Sequence, residues 1–288
     1  MHLLTFSKQG KPTVGVRKGD VVIDLSVAVP EFKKEMSAIL AAGKEAIEYL
    51  ENVLPSAKDE AVLDPETLTY LPPVTNPQKI LCVGLNYADH AAEGKKEIPS
   101  HPVFFARFNN TLVAHKQPLI RPRVSEKFDF EGELAIIIGK KAKHLTRDNA
   151  LDCVAGYSIF HDGSVRDYQV RTPQWTLGKN FDGSGGFGPV IVTADALPQG
   201  AKGLQLTTVL SGEVMQKGNT KDFIFDVPTV LQALTETMTL VPGDVIITGT
   251  PAGVGFARKP PRYMKAGDVC DITIEGIGTL SNPVVDEG

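Results

Sequence analysis

The chain has 288 residues, a formal net charge of −4, and 42 % hydrophobic and 22 % charged residues, which suits one large domain or a large domain with a small companion. Its longest apolar runs, Leu134–Gly139 and Val245–Ile247, fall far short of the ~20 residues a membrane helix needs, and the slightly acidic balance gives no reason to expect nucleic acid. Three cysteines, Cys82, Cys153 and Cys270, are odd in number, far apart and set in apolar runs, which argues for core packing and against a disulfide framework or a CxxC zinc pair.

The N-terminus, MHLLTFSKQGK, lacks the basic-then-apolar pattern of a signal peptide, so a cytoplasmic location is expected. Residues 1–27 read as three short β-like runs, HLLTFS, PTVGVRK and DVVIDLS, separated by Gly-containing turns. Apolar residues near helical spacing (Met36, Ile39, Leu40, Ile47, Leu50) predict a helix from about Pro30 to Leu54. The Pro-rich segment Tyr70–Gln78 reads as a linker, which places a domain boundary near residue 75.

Beyond it the chain is mostly β-like: KILCVGLNY, GELAIIIG, CVAGYSIFHD, GPVIVT, LQLTTVLSG, GDVIITGT and DVCDITIEGIG. Only Thr146–Cys153 and Val227–Met238 read as helices there, the second with Pro228 near its start. Helices are too few to cover a doubly wound parallel sheet. A β-rich α+β fold, with curved sheets or a barrel-like roll, is expected.

Four segments carry side chains suited to chemistry. In Leu81–Glu93 a strand runs into a helix-like stretch with His90 and Glu93 three apart, neighbours on a helix. Glu93 can then orient His90 as a general base; a weak surface pair is the alternative. The charged, Gly/Pro-bounded stretch Gly94–Ser100 that follows suits a lid. In Phe130–Ile138, Glu131 and Glu133 lie two apart and share a strand face. Two adjacent carboxylates at the mouth of an apolar strand repel unless a cation neutralises them, and oxygen ligands select Mg²⁺, Mn²⁺ or Ca²⁺. An exposed strand start with two solvated acids is the other reading.

In Ile159–Gln169 a β-like run ends in polar residues. Asp162 is placed to add a third carboxylate, with Arg166 and Gln169 available to an anionic group; capping of a short helix is an equal alternative for Asp162 and Asp167. In Gly243–Gly255 a buried-looking strand opens into a Gly-rich loop with Thr250. Its amides can approach a carboxylate closely, yet it matches neither a Walker A loop nor a dinucleotide fingerprint.

Together these segments resemble the fumarylacetoacetate hydrolase family, in its acylpyruvase and 2-hydroxyhepta-diene-dioate isomerase branch. The match covers roughly Lys79 to Pro283 through four motifs in the family's order: VGLNYADHAAE, FEGELAIIIGK, HDGSVRDYQ with GKNFDGSGGFGP, and GDVIITGTPAGVG. The resemblance implies the family's β-rich roll with a small N-terminal domain, here residues 1–75 and 76–288, and a homodimer. It implies Mg²⁺ or Mn²⁺ on Glu131, Glu133 and Asp162, a water-activating dyad of His90 and Glu93, and Arg166, Gln169, Lys179 and Thr250 near substrate or metal.

The chain departs from the family pattern in three places. His161-Asp162-Gly163-Ser164-Val165-Arg166-Asp167 stands where many members have Asn-Asp-Val-Ser-Ala-Arg-Asp, with the Asp and Arg retained. Asp182-Gly183-Ser184-Gly185-Gly186-Phe187 replaces the usual Asp-Thr-Phe sequence, and FARFNNTLVAH (Phe105–His115) lacks the usual Lys-Pro form. The implied activity is metal-dependent C–C hydrolysis of a small acylpyruvate-like 2-oxo acid, of the fumarylpyruvate or fumarylacetoacetate type. Lys179 and the metal would stabilise negative charge while His90 activates water. Oxaloacetate decarboxylation and 2-oxo acid keto–enol isomerisation suit the same site, and a non-catalytic metabolite-binding protein is the alternative from another class.

Overall fold

A computed structural model describes residues 1–32 and 35–288. The chain opens with a meander of β1 (His2–Lys8), β2 (Lys11–Lys18) and β3 (Val21–Asp24), matching the three predicted runs. Gln9 and Gly10, both at positive φ (51° and 76°), make the two-residue turn between β1 and β2, whose twist suits the strands it joins. The third run stops at Asp24, because its carboxylate accepts the Ser26 amide at 2.8 Å and caps a short helical turn.

Helix α1 (Met36–Val53) starts later than the expected Pro30, and Lys33 and Lys34 in that stretch lie outside the described residues. It is broken at Gly43 (φ 57°) and buries Met36, Ile39, Leu40 and Leu50, as the periodicity predicts. The expected linker begins with a two-residue strand, Tyr70–Leu71, on β1.

Then follow β4 (Ile80–Gly84), α2 (Ala88–Glu93), β5 (Val103–Arg107), β6 (Gly132–Ile138), β7 (Val154–Asp162), β8 (Gly185–Thr193), β9 (Gln205–Leu210), β10 (Glu213–Asn219), α3 (Val227–Thr237), β11 (Val245–Ile247), β12 (Val269–Ile274) and β13 (Gly278–Asp286). Each predicted β-like run contains a strand. The expected helix Thr146–Cys153 does not form; only Ala150–Cys153 makes a 3₁₀ turn. Asn149 Oδ1 accepts the Thr146 amide at 2.8 Å and closes a local turn, the competition with helix typical of Asn.

Among the described residues, twelve strands form one mixed sheet with the spine β3-β2-β1-β8-β7-β6-β11-β4-β5, extended beyond β3 by Val62–Leu63. A second sheet orders β10-β9-β12-β13 and Leu119–Arg121. The fold is therefore the β-rich α+β roll expected from the sequence, and no helix among the described residues is long and apolar enough to cross a membrane.

Strand β6 is buried throughout. Leu134, Ile136 and Ile138 pack with Leu206, Ile272 and Leu280 of the second sheet and with Val230 and Leu234 of α3. On the other face Ala135 and Ile137 join Ile39, Leu40 and Leu50 of α1. A strand covered on both sides reads as a continuous apolar run, and each buried Leu or Ile contributes about 1.5–3 kcal/mol.

Candidate active site

The sheet topology brings the four polar segments to one end of β6. Strand β7 is antiparallel to β6, so Gly132 faces His161 and the start of β6 lies beside the end of β7. The start of β8 adds a third neighbour, with Gly185 facing Asp162. Strand β11 runs antiparallel to β6 and parallel to β4. The segments leaving β4 (toward His90) and β11 (toward Thr250) therefore emerge at the same end. Asn86 ties them together: buried, it donates to Thr248 O at 2.7 Å and to Phe225 O at 3.1 Å.

Glu131, Glu133 and Asp162 are all buried, with one oxygen of each within 4.8 Å of the others. Lys179 Nζ donates to Glu131 Oε2 at 2.6 Å and to Asp162 Oδ2 at 2.5 Å. It sits on a helical turn, Thr176–Lys179, pressed on the turn Arg166–Gln169. A Cβ at Gly178 would come within 2.4 Å of the Gln169 backbone, so this approach needs glycine. Arg166 donates from Nε to Asp129 Oδ2 at 2.7 Å and from Nη1 to Gln169 Oε1 at 2.9 Å, and its Nη2 lies 2.7 Å from Glu131 Oε1.

His90 Nδ1 and Glu93 Oε1 are 2.8 Å apart on α2, and the second Glu93 oxygen accepts the Gly253 amide at 2.9 Å. Glu93 is thus fixed from the Gly-rich loop, and His90 Nε2 is left to the cavity. That cavity, about 530 Å³, is lined by His90, the three carboxylates, Arg166, Gln169, Lys179 and Thr250, with Phe105, Trp175, Phe256 and Lys96 completing its walls. Eight of the nine residues singled out in the sequence line it, and the ninth, Glu93, holds His90. Of the expected lid segment, Gly94 and Lys96 reach the cavity.

Residues 79–285 match the family model of the fumarylacetoacetate (FAA) hydrolase C-terminal domain. The chain belongs to the fumarylacetoacetate hydrolase family. Among similar family members is a Xenopus laevis protein named oxaloacetate tautomerase fahd2, mitochondrial, 36 % identical over 291 residues, covering 99 % of this chain and 90 % of the relative. The Homo sapiens oxaloacetate tautomerase FAHD2A, mitochondrial, is 38 % identical over 278 residues, covering 95 % and 88 %. Among solved structures, the fumarylacetoacetate hydrolase of Exiguobacterium antarcticum superposes with TM-score 0.86 at 38 % identity over the whole of both chains. The maleylpyruvate hydrolase of Sphingobium sp. SYK-6, in complex with manganese(II) and pyruvate, does so with TM-score 0.83 at 28 % identity, again over both whole chains.

The donor set of this family member fits a hard divalent cation. Lys179 already bridges two of the three carboxylates, so the space between them accepts positive charge. Among the described residues Glu133 has no ion-pair partner; it accepts only the Gly249 amide. Burial, then the Asp162 and Glu131 carboxylates, push Glu133 well above the usual carboxylate range, which a cation would reverse. Burial also opposes ionisation of Glu131, but Lys179 and Arg166 outweigh it and hold its carboxyl below its ordinary value. Burial favours a neutral Lys179, yet Asp162 and Glu131 outweigh that and keep it protonated.

Sequence reasoning missed four buried residues. Asp129 continues the two-residue spacing of Glu131 and Glu133, and it accepts amides of Phe130, Gly255 and Phe256 besides Arg166. Gln216 donates to the Thr250 hydroxyl and accepts the Gly132 amide, while Thr250 itself donates to Gly132 O at 2.9 Å. Asn86 joins the β4 and β11 segments, and Arg107 bonds Asp162. His161 points the other way, toward the Phe128 ring, and burial followed by Arg107 pushes it down to about 3, so it is neutral.

Proposed function

We propose that this protein is a divalent-metal-dependent enzyme acting on small 2-oxo carboxylates, with keto–enol tautomerisation of an oxaloacetate-type substrate as its main reaction. The observation that carries this is one cavity holding a single oriented base, His90–Glu93, beside three clustered carboxylates and the Lys179 ammonium. The whole-length relatives named oxaloacetate tautomerases support the substrate class. Glu131, Glu133 and Asp162 would hold Mg²⁺ or Mn²⁺, which supplies Lewis acidity toward the adjacent oxygens of a 2-oxo acid.

Tautomerisation moves one proton between the 2-oxygen and the neighbouring carbon. The Glu93 carboxylate accepts from His90 Nδ1–H, which leaves the Nε2 lone pair to take the carbon-bound proton or return it. Lys179 places a positive charge where the 2-oxygen becomes negative. Arg166 and Gln169 bond each other, and Arg166 also bonds Asp129. They therefore shape the rim of the anion site more than they supply free donors. Phe105, Trp175 and Phe256 give the cavity its apolar walls.

C–C hydrolysis of an acylpyruvate is the second reading. It is favoured by the same dyad, which can activate water as readily as it moves a carbon-bound proton, and by the maleylpyruvate hydrolase likeness. The two separate in one assay: decay of the enol absorbance of oxaloacetate, set beside pyruvate release from acylpyruvates. Accelerated enol decay without pyruvate release establishes the tautomerase; pyruvate release with no effect on the enol establishes the hydrolase. His90→Ala should slow the enzyme's reaction by about 10²–10⁴-fold, the usual worth of a general base. Unchanged turnover would remove His90 from the chemistry. The homodimer and the cytoplasmic location belong to the same proposal; light scattering at twice the chain mass would establish the dimer.

A further inference from the structure

Arg107, at the end of β5, is buried and makes four hydrogen bonds. Its Nη1 donates to Asp162 Oδ1 and, at 3.1 Å, to Gly163 O; Nη2 donates to Ser184 Oγ at 2.7 Å, and Nε reaches Thr111 Oγ1 at 3.4 Å. Its guanidinium carbon lies 5.6 Å from the centre of the Phe160 ring. A Cβ at Gly185 would lie 2.9 Å from Nη2, so the guanidinium occupies space that any larger residue there would contest. Two departures from the family pattern, FARFNNTLVAH and DGSGGF, are far apart in sequence. They meet here, one supplying Arg107 and the other Ser184 and Gly185.

We propose that Arg107 is a positioning residue that holds Asp162 as a one-oxygen ligand and so favours Mg²⁺ or Mn²⁺ over Ca²⁺. The proposal rests on the reading of Glu131, Glu133 and Asp162 as a divalent-cation site. With Oδ1 taken by the guanidinium, a cation could reach Asp162 only through Oδ2, where it would take the place of the Lys179 ammonium. Mg²⁺ and Mn²⁺ suit octahedral sites built from single oxygens, whereas Ca²⁺ takes six to eight oxygens and readily uses both atoms of a carboxylate. Gly163 O and Ser184 Oγ anchor the guanidinium fork, and through it the position of Asp162 Oδ1.

The test is calorimetric titration of Mn²⁺ and, separately, Ca²⁺ into the EDTA-treated, dialysed full-length protein, for wild type, Arg107→Lys and Ser184→Ala. Arg107→Lys keeps the positive charge beside the site and loses the fork, so electrostatic repulsion of the cation stays nearly constant. The expected result is a Mn²⁺ affinity lowered about tenfold or more, the usual worth of an orienting partner, with Ca²⁺ affinity changed less than about twofold. Ser184→Ala should move the Mn²⁺/Ca²⁺ ratio the same way by about threefold, since it removes one anchor of the fork. A folded Arg107→Lys protein with the wild-type ratio, or with both affinities reduced in parallel, overturns the proposal. If that variant fails to fold, Ser184→Ala decides alone, and an unchanged ratio there overturns it. A wild-type protein that binds neither ion overturns the metal reading itself, and this inference with it.

Discussion

Glu133 is a buried carboxyl under electrostatic strain. Burial and two neighbouring carboxylates raise its carboxyl far above the ordinary range. The folded chain therefore holds a proton there that the unfolded chain has released, and metal-free stability falls as pH rises from the ordinary carboxylate range toward the raised value. Glu133→Gln keeps an acceptor for the Gly249 amide and removes the need to take up that proton on folding. It should raise the midpoint of thermal unfolding of the metal-free protein near neutral pH, by on the order of 2–4 °C per kcal/mol relieved, while abolishing stabilisation by added metal. The reverse pattern, a lower midpoint with metal stabilisation intact, would remove Glu133 from the metal site. Because the cation displaces a proton from Glu133, metal affinity should also weaken as pH falls.

At this scale the strand period made Glu131 and Glu133 legible as a pair, and the helical spacing of His90 and Glu93 made the dyad legible. Lys179 entered only through the family motif, since no spacing ties it to Glu131, 48 residues away. Arg107 and Gln216 stayed invisible for the same reason. Their partners lie 55 and 84 residues off, and only the sheet order makes them neighbours. Asp129 was within reach, because it extends the alternating carboxylates by one more step.

Among elements, the contrast between α3 and Thr146–Cys153 shows what decides helix formation here. Asp226 caps α3 through the Thr229 amide at 3.1 Å and is bonded by Arg147 at 2.8 and 2.7 Å. Asn149 instead closes a turn on Thr146, and the remainder forms a 3₁₀ turn. Both segments carry helix-like composition; side-chain bonds to the backbone separate them. Burial raises the Asp226 carboxyl, but the bonds from Arg147 and Thr229 outweigh it and bring it down to about 2. Its contribution is present above the ordinary carboxylate range and is lost as pH falls through that range toward 2. Asp226→Ala should cost about 0.5–2 kcal/mol of unfolding free energy at neutral pH, measured by denaturant titration, with catalysis unaffected. A variant as stable as wild type would show that Pro228 and packing suffice to start α3.

For the whole molecule, the twelve-stranded sheet gathers segments from residues 83 to 256 into one cavity, so the site should be coupled to global stability. A cation at 100 times its Kd stabilises the fold by about 2.7 kcal/mol, a rise of roughly 5–10 °C in the unfolding midpoint for a chain of this size. Differential scanning with EDTA and then with Mn²⁺ reads this directly. A midpoint indifferent to both would mean that the carboxylates are neutralised by Lys179 and Arg166 alone. The roll was legible as a class, from the shortage of helices and the wealth of apolar runs. The pairing of β1 with β8 was not, because strand partners so distant leave no periodicity in the sequence.

We propose that one metal-assisted cavity, with His90 as its base, interconverts enol and keto forms of a small 2-oxo dicarboxylate. The most direct measurement is the decay rate of enol oxaloacetate with the metal-free protein, with Mg²⁺ or Mn²⁺ restored, and with metal-loaded His90→Ala. Acceleration should appear with metal, disappear with EDTA and fall by about 10²-fold or more in the variant. Enol decay unchanged by the metal-loaded wild-type protein, or equally fast without His90, would contradict the proposal.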